Sequence, residues 1–154
     1  MFKGREIIGL SVIDYTTGKE SGAIDDLILD LEQGKVTALL IKSVGWLTTS
    51  RLVPLAIVQQ VGSDAVLIDD ETKEAIEDDG CRIKSLKGCS VISCEGKDLG
   101  TVEDLILDIP EGRVVGWEIS DGLVQDLVEG RRVLPVESVI TCGMDRFIVR
   151  EGGW

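Results

Sequence analysis

Apolar residues in this chain recur mostly at every second position, in short runs separated by glycine and acidic turns. That period predicts half-buried β-strands. Glu6 to Asp14 is rich in β-branched residues, with Leu10 and Val12 on one face of a first strand. After the turn residues Thr17-Gly18 and Gly22, Ala23 to Leu31 predicts a second strand. Its Leu27, Leu29 and Leu31 alternate, while Ile24 falls out of phase with them. The same slip sets Val102 against Leu105, Leu107 and Ile109. One extra residue near Asp25-Asp26 and near Glu103-Asp104, a β-bulge in each strand, brings every apolar side chain to one side. In the third strand, Leu39 and Ile41 share a face, as do Trp117 and Ile119. The opposite side, with Leu40, Lys42, Glu118 and Ser120, is expected to face solvent.

The pattern is written twice. Gly22 to Val36 reads GAIDDLILDLEQGKV, and Gly100 to Val114, 78 residues on, reads GTVEDLILDIPEGRV. Glu32-Gln33-Gly34 and Pro110-Glu111-Gly112 predict tight hairpin turns. Beyond the third strand the copies diverge, SVGWLTTS against DGLVQDLVEGR, and meet again at RLVP and RVLP. Pro54 and Pro135 confine any strand there to an edge or a start. Each copy ends on a Gly-x-Asp turn and a last strand. Five or six short strands per copy point to a small barrel that closes its own edges. The expected organisation is a first unit over 1–70, a charged linker over 71–84 and a second unit over 85–154. A unit of this size buries little surface alone, so the two are expected to pack along an apolar seam that includes Leu40.

The order of these features resembles the PRC-barrel family. It is carried by Gly9 and Gly88, the two LILD strands, Gly34 and Gly112, Pro54 and Pro135, and the turns Gly62-Ser63-Asp64 and Gly143-Met144-Asp145. The resemblance implies an all-β fold: two tandem small PRC-like β-barrels packed as an internal pseudo-dimer. It is a module also met in the photosynthetic reaction centre H subunit, in a ribosome-maturation factor and in stand-alone bacterial and archaeal proteins. It further implies an interaction or assembly role without a shared catalytic site.

Charge and composition narrow the function classes. The net charge is −12, opposite to the basic footprint that phosphate binding requires, so no nucleic-acid partner is expected. No apolar run is long enough to span a bilayer, which excludes direct membrane insertion and implies a cytoplasmic protein. Histidine is absent, which removes the commonest general base and transition-metal ligand. The chain has neither a phosphate loop nor a CxxC pair. No catalytic residue, no metal ligand and no cofactor is therefore assigned, and the chain is read as not an enzyme.

The acidic pairs Asp25-Asp26 and Glu103-Asp104, with Asp30 and Asp108, recur in both copies, so a repeated structural role explains them. Cys89 and Cys142 replace Leu10 and Val61 and read as core. Cys81, in the linker, and Cys94, near a turn, are the exposed candidates for a redox pair. The residues left for partner docking are Trp46 and Leu47 in the first divergent loop, and Leu123, Val124, Leu127 and Val128 in the second. The partner expected is an unidentified protein, basic or membrane-associated, with homo-oligomerisation also open. The alternative is a binding protein responsive to a small ligand or a divalent metal, with its site between the barrels.

Overall fold

The out-of-phase apolar positions are reconciled by backbone bulges. The computed structural model describes residues 1–43, 45–46, 48–70, 80–121, 132–143 and 145–150. In the first unit these form β1 (Phe2–Lys3), α1 (Gly4–Ile7), β2 (Ser11–Asp14), β3 (Glu20–Asp30), β4 (Lys35–Lys42), β5 (Ser50–Pro54), β6 (Val58–Val61) and β7 (Ala65–Ile68). The second unit repeats the series as β8 (Cys81–Arg82), α2 (Ile83–Leu86), β9 (Ser90–Ser93), β10 (Asp98–Asp108), β11 (Arg113–Ser120), β12 (Arg132–Pro135), β13 (Val139–Cys142) and β14 (Arg146–Val149). Between β3 and β4 the register shifts at Asp25, and between β10 and β11 it shifts at Glu103. Ile24, Leu27 and Leu29 consequently all point inward, as do Val102, Leu105 and Leu107, each at most 2% exposed. A second bulge, on β4 and β11 opposite the LILD segments, had no counterpart in the apolar pattern.

Within each unit the strand order is β6-β7-β2-β3-β4-β5 and its equivalent, with β2 and β7 parallel and the other pairs antiparallel. The two ends of that order are consecutive in sequence, joined by 3-10 turns at Leu55–Ile57 and Val136–Ser138. The curled sheet is not closed by a ladder, contrary to the expectation of a self-closing barrel: the path through the whole molecule ends at β6 and β13. Pro54 and Pro135 end β5 and β12, the edge position expected of them.

Among the described residues, strand pairing joins the units at three places. Arg113 pairs with Lys35, and the hairpin turns exchange Val36 N–H to Gly112 O at 2.8 Å and Val114 N–H to Gly34 O at 2.9 Å. The other two contacts are reciprocal arms. β1 of the first unit pairs with β10 of the second, and β8 of the second pairs with β3 of the first. The stretch 71–84 thus ends in ordered structure, since β8 and the start of α2 lie in it. The Glu6–Ile8 segment expected in the first strand lies instead in and just after the turn of helix α1. Most buried apolar residues of both units form one contiguous cluster, from Ile7 to Val149, and Ile28, Ala38 and Leu40 form a second, smaller one.

The face expected in solvent is covered. Leu40 is 9% exposed and packs with Ile28, Ala38 and Leu52; Glu118 is 3% and Ser120 7% exposed, whereas Lys42 is exposed. At Glu118 the physical reason is the first unit's arm, whose Lys3 and Arg5 lie against it; Leu40, also expected on the seam between the units, is packed by residues of its own unit.

Candidate functional site

The duplicated acidic residues are where the arms are fastened. Each short helix leaves its first N–H groups without an intrahelical partner. Asp104, on β10, accepts the N–H of Arg5 at 3.1 Å, and Asp26, on β3, accepts the N–H of Lys84 at 3.3 Å. Each carboxylate also accepts the N–H of the following leucine at 2.8 Å, across the bulge. The bulge therefore turns a buried carboxylate toward the helix of the other unit. Around this shared geometry the charges differ. Arg5 bridges Asp104 at 3.3 Å and Glu118 at 2.8 Å, and Lys3 reaches Glu118 at 3.2 Å. The hydrogen bond to Glu118 raises the Arg5 pKa against the opposing effect of burial. In the first unit Leu40 stands where Glu118 stands, and the ion pairs move to Asp25, with Lys84 at 3.3 Å and Lys42 at 3.5 Å. Burial works to raise the Asp25 pKa, but the two lysines outweigh it and the net shift is downward. Asp30 caps its hairpin turn through Glu32 N–H and Gln33 N–H. These carboxylates hold the fold together; among the described residues no group of three metal-binding side chains converges.

The units depart from each other at a cavity on the seam. It has a volume of about 530 Å³ and lies between the first unit's β3–β4 turn, with Leu31 and Gly34, and the second unit's Val114, Trp117, Val136 and β13. The twin positions explain its opening. Leu55 is replaced by Val136, and Val61 by Cys142, each a loss of volume. A methyl group at Gly112 would collide with the Leu55 side chain, whereas one at Gly34 would meet nothing within 4 Å. Trp117, in place of Leu39, forms part of the lining and is held edge-on against Phe147, 4.8 Å between ring centroids. At the mouth, Ile140 is 52% exposed where the first unit carries Gln59.

Of the residues expected to dock a partner, Trp46 is 94% exposed, while Leu47, Leu123, Val124, Leu127 and Val128 lie outside the described residues. Sequence comparison of the copies did not single out Val136, Ile140 or Cys142 for docking, although the Leu55/Val136 and Gln59/Ile140 differences were legible in it. The thiols also required correction. Cys81 is buried at 9% exposure on β8 rather than exposed in a linker, because β3 covers it; Cys94 is exposed. Cys142 has its thiol pushed up to about 12 by burial, with smaller contributions from Cys81 and Cys89. Burial likewise raises the Cys89 pKa.

A second cavity, of about 370 Å³, gathers Arg5, Lys84 and Lys87 with Glu103 and Asp104 near the two arms. Among the described residues, no helix is long and apolar enough to cross a membrane.

Among solved structures, a similar one is the 16S ribosomal RNA processing protein RimM from Pseudomonas aeruginosa. It is 16% identical, covers 95% of this chain and 96% of its own, and has a TM-score of 0.36. The exclusion of nucleic acid drawn from net charge is withdrawn: that neighbour is named for ribosomal RNA processing, and a net charge does not by itself exclude such a partner. The physical weakness of the exclusion is that −12 is a sum over the whole chain and does not describe any one patch of its surface. No curated protein matches the chain. The family model for the PRC-barrel domain matches twice, over residues 1–74 and 78–153, and the chain belongs to the PRC-barrel domain family.

Proposed function

We propose that this chain is a non-catalytic assembly module, a rigid pair of PRC-barrel units that docks a partner where its two copies differ. The observation that carries this reading is the contrast between the two kinds of position. Asp26 and Asp104 do the same work in both units, whereas Trp117 and the exposed Ile140, which border the cavity on the seam, are found in the second unit's sequence alone. An exposed aliphatic residue beside an apolar cavity on a rigid scaffold is the composition of a binding surface. The buried carboxylates Asp26, Asp104 and Glu118 all have structural partners, which supports a role without catalysis.

The experiment is affinity capture on the immobilised chain, comparing Ile140→Asp with Gln59→Asp, the same change at the twin position. A stoichiometric partner retained by Gln59→Asp and lost with Ile140→Asp supports the reading. Equal capture by both variants removes it. The cavity also favours a second reading, a small apolar ligand, since its volume falls within the ~300–1,000 Å³ of ligand pockets. Thermal shifts with a metabolite panel, in the absence of any protein partner, would select that reading.

A further inference from the structure

The cavity and an open sheet edge share one strand. β13 is a terminus of the sheet path and, among the described residues, pairs with β14 alone. A register shift in that pairing falls at Ile140. Val139, Ile140 and Cys142 of this strand also line the cavity. An unpaired strand edge is a template for another chain, and folded proteins usually cover such edges or dress them in polar residues. The twin edge, β6, follows that rule with exposed Gln59 and Gln60. β13 instead exposes Ile140, followed by Thr141. Among the described residues Glu32 is the one charged residue in the cavity lining, and the exposed Glu137 adjoins Val136 in sequence. The charge carried by the described lining is thus a single negative one, on a chain of net charge −12.

We propose that β13 and the cavity together receive an extended segment of a partner protein. The segment adds to the sheet as a strand, and one bulky aliphatic or aromatic side chain enters the cavity over Trp117. A lysine or arginine beside that anchor faces Glu32. In strand addition the main chain supplies affinity and side-chain pockets supply specificity, and here one strand carries both elements. Glu32, on a chain of net charge −12, matches a cationic flank, which selects partners and speeds encounter. This inference rests on the docking reading above and adds where, and in what conformation, the partner binds.

The test uses the full chain and a displayed library of random peptides of about eight residues, within ordinary strand length. Selected peptides are expected to share one large apolar residue with lysine or arginine close by, and to protect the Val139–Cys142 amides from hydrogen exchange. Val136→Leu closes the cavity with the residue the first unit carries at that place. Ile140→Gln restores the first unit's rim. Each is expected to weaken peptide binding about tenfold or more, equivalent to about 1.4 kcal/mol. Glu32→Gln should weaken binding and flatten its salt dependence, and Gln59→Ile should change nothing. Thermal melts check that the variants fold; should Val136→Leu fail, the surface change Ile140→Gln decides.

Failure to enrich any peptide overturns the proposal. So does binding indifferent to both Val136→Leu and Ile140→Gln, or protection that spares β13. Binding of an RNA oligonucleotide in place of peptide also overturns it. If a captured partner is lost with Ile140→Asp but unaffected by Val136→Leu, the docking reading survives and the strand-addition proposal does not.

Discussion

The clasp between Arg5 and the second unit makes an asymmetric prediction about its two ends. Glu118 and Asp104 have side chains 4% and 7% exposed, whereas the Arg5 side chain is 48% exposed. Arg5→Met therefore leaves two covered carboxylates short of a donor, although Lys3 remains with Glu118 and backbone N–H groups remain with Asp104. A charged hydrogen bond contributes about 1.5–3 kcal/mol, and breaking a buried pair costs about 3–5 kcal/mol. The half-exposed guanidinium and the surviving donors reduce that cost. We expect Arg5→Met to destabilise the chain by about 2 kcal/mol, or roughly 4–8 °C in Tm for a protein of this size. Glu118→Leu, by contrast, frees two side chains that can return to water and installs the residue found at Leu40. It should change stability by less than about 1 kcal/mol, since a well-packed apolar replacement of a buried charge is often neutral. The double variant should be more stable than Arg5→Met alone. Urea unfolding with a shared m-value measures all three. The reasoning is refuted if Glu118→Leu costs more than Arg5→Met, or if their effects simply add.

Gly34 and Gly112 both adopt positive φ, 65° and 76°, so alanine is strained at either by about 1 kcal/mol. Gly112→Ala should cost measurably more, because only there would the methyl group strike Leu55 and the Val36 carbonyl; equal losses in Tm would contradict the contacts described. The Cys142 pKa rises from 9.0 to about 12, so its contribution to stability is complete below pH 9 and is lost as pH rises toward 12. Cys142→Val should flatten that alkaline decline in urea titrations, and an unchanged slope counts against it. With a limiting alkylating agent near neutral pH, the exposed Cys94 should react first; mass spectrometry that finds Cys81 modified as early would contradict the burial of β8. Asp25 has a folded-state pKa below its ordinary 3.8, so its ion pairs stabilise fully above that value and are lost as pH falls through the folded pKa. Asp25→Asn should accordingly reduce the acid dependence of stability, and an identical pH profile would refute this.

What could be read from the sequence follows from which forces leave a periodic trace. The bulges at Asp25 and Glu103 were legible because they displace Ile24 and Val102 from the phase of the leucines behind them. The hairpin turns were legible because Gly34 and Gly112 need positive φ. The arms were not, since a two-residue strand such as Phe2–Lys3 has no period and its partner lies more than a hundred residues away. Missing the arms led to further errors: Glu118 was assigned to a solvent face, Cys81 to a linker, and the clasp formed by Asp26 and Asp104 to separate barrels. The cavity was half legible. Comparing Leu55 with Val136 shows a loss of volume, but not that Gly34 and Trp117 lie across the seam to surround the space.

The exchange of arms also bears on what each copy is free to become. In a symmetric pair of separate, identical chains, every substitution is made twice, and a change must suit both sides of the interface at once. Joining the units in one polypeptide makes their meeting intramolecular and independent of protein concentration. A substitution then occurs on one side only. Leu40 and Glu118 can differ, with lysine and arginine recruited to just one of them, and a side chain that plugs one recess can shrink in the other while its twin continues to hold the pair together.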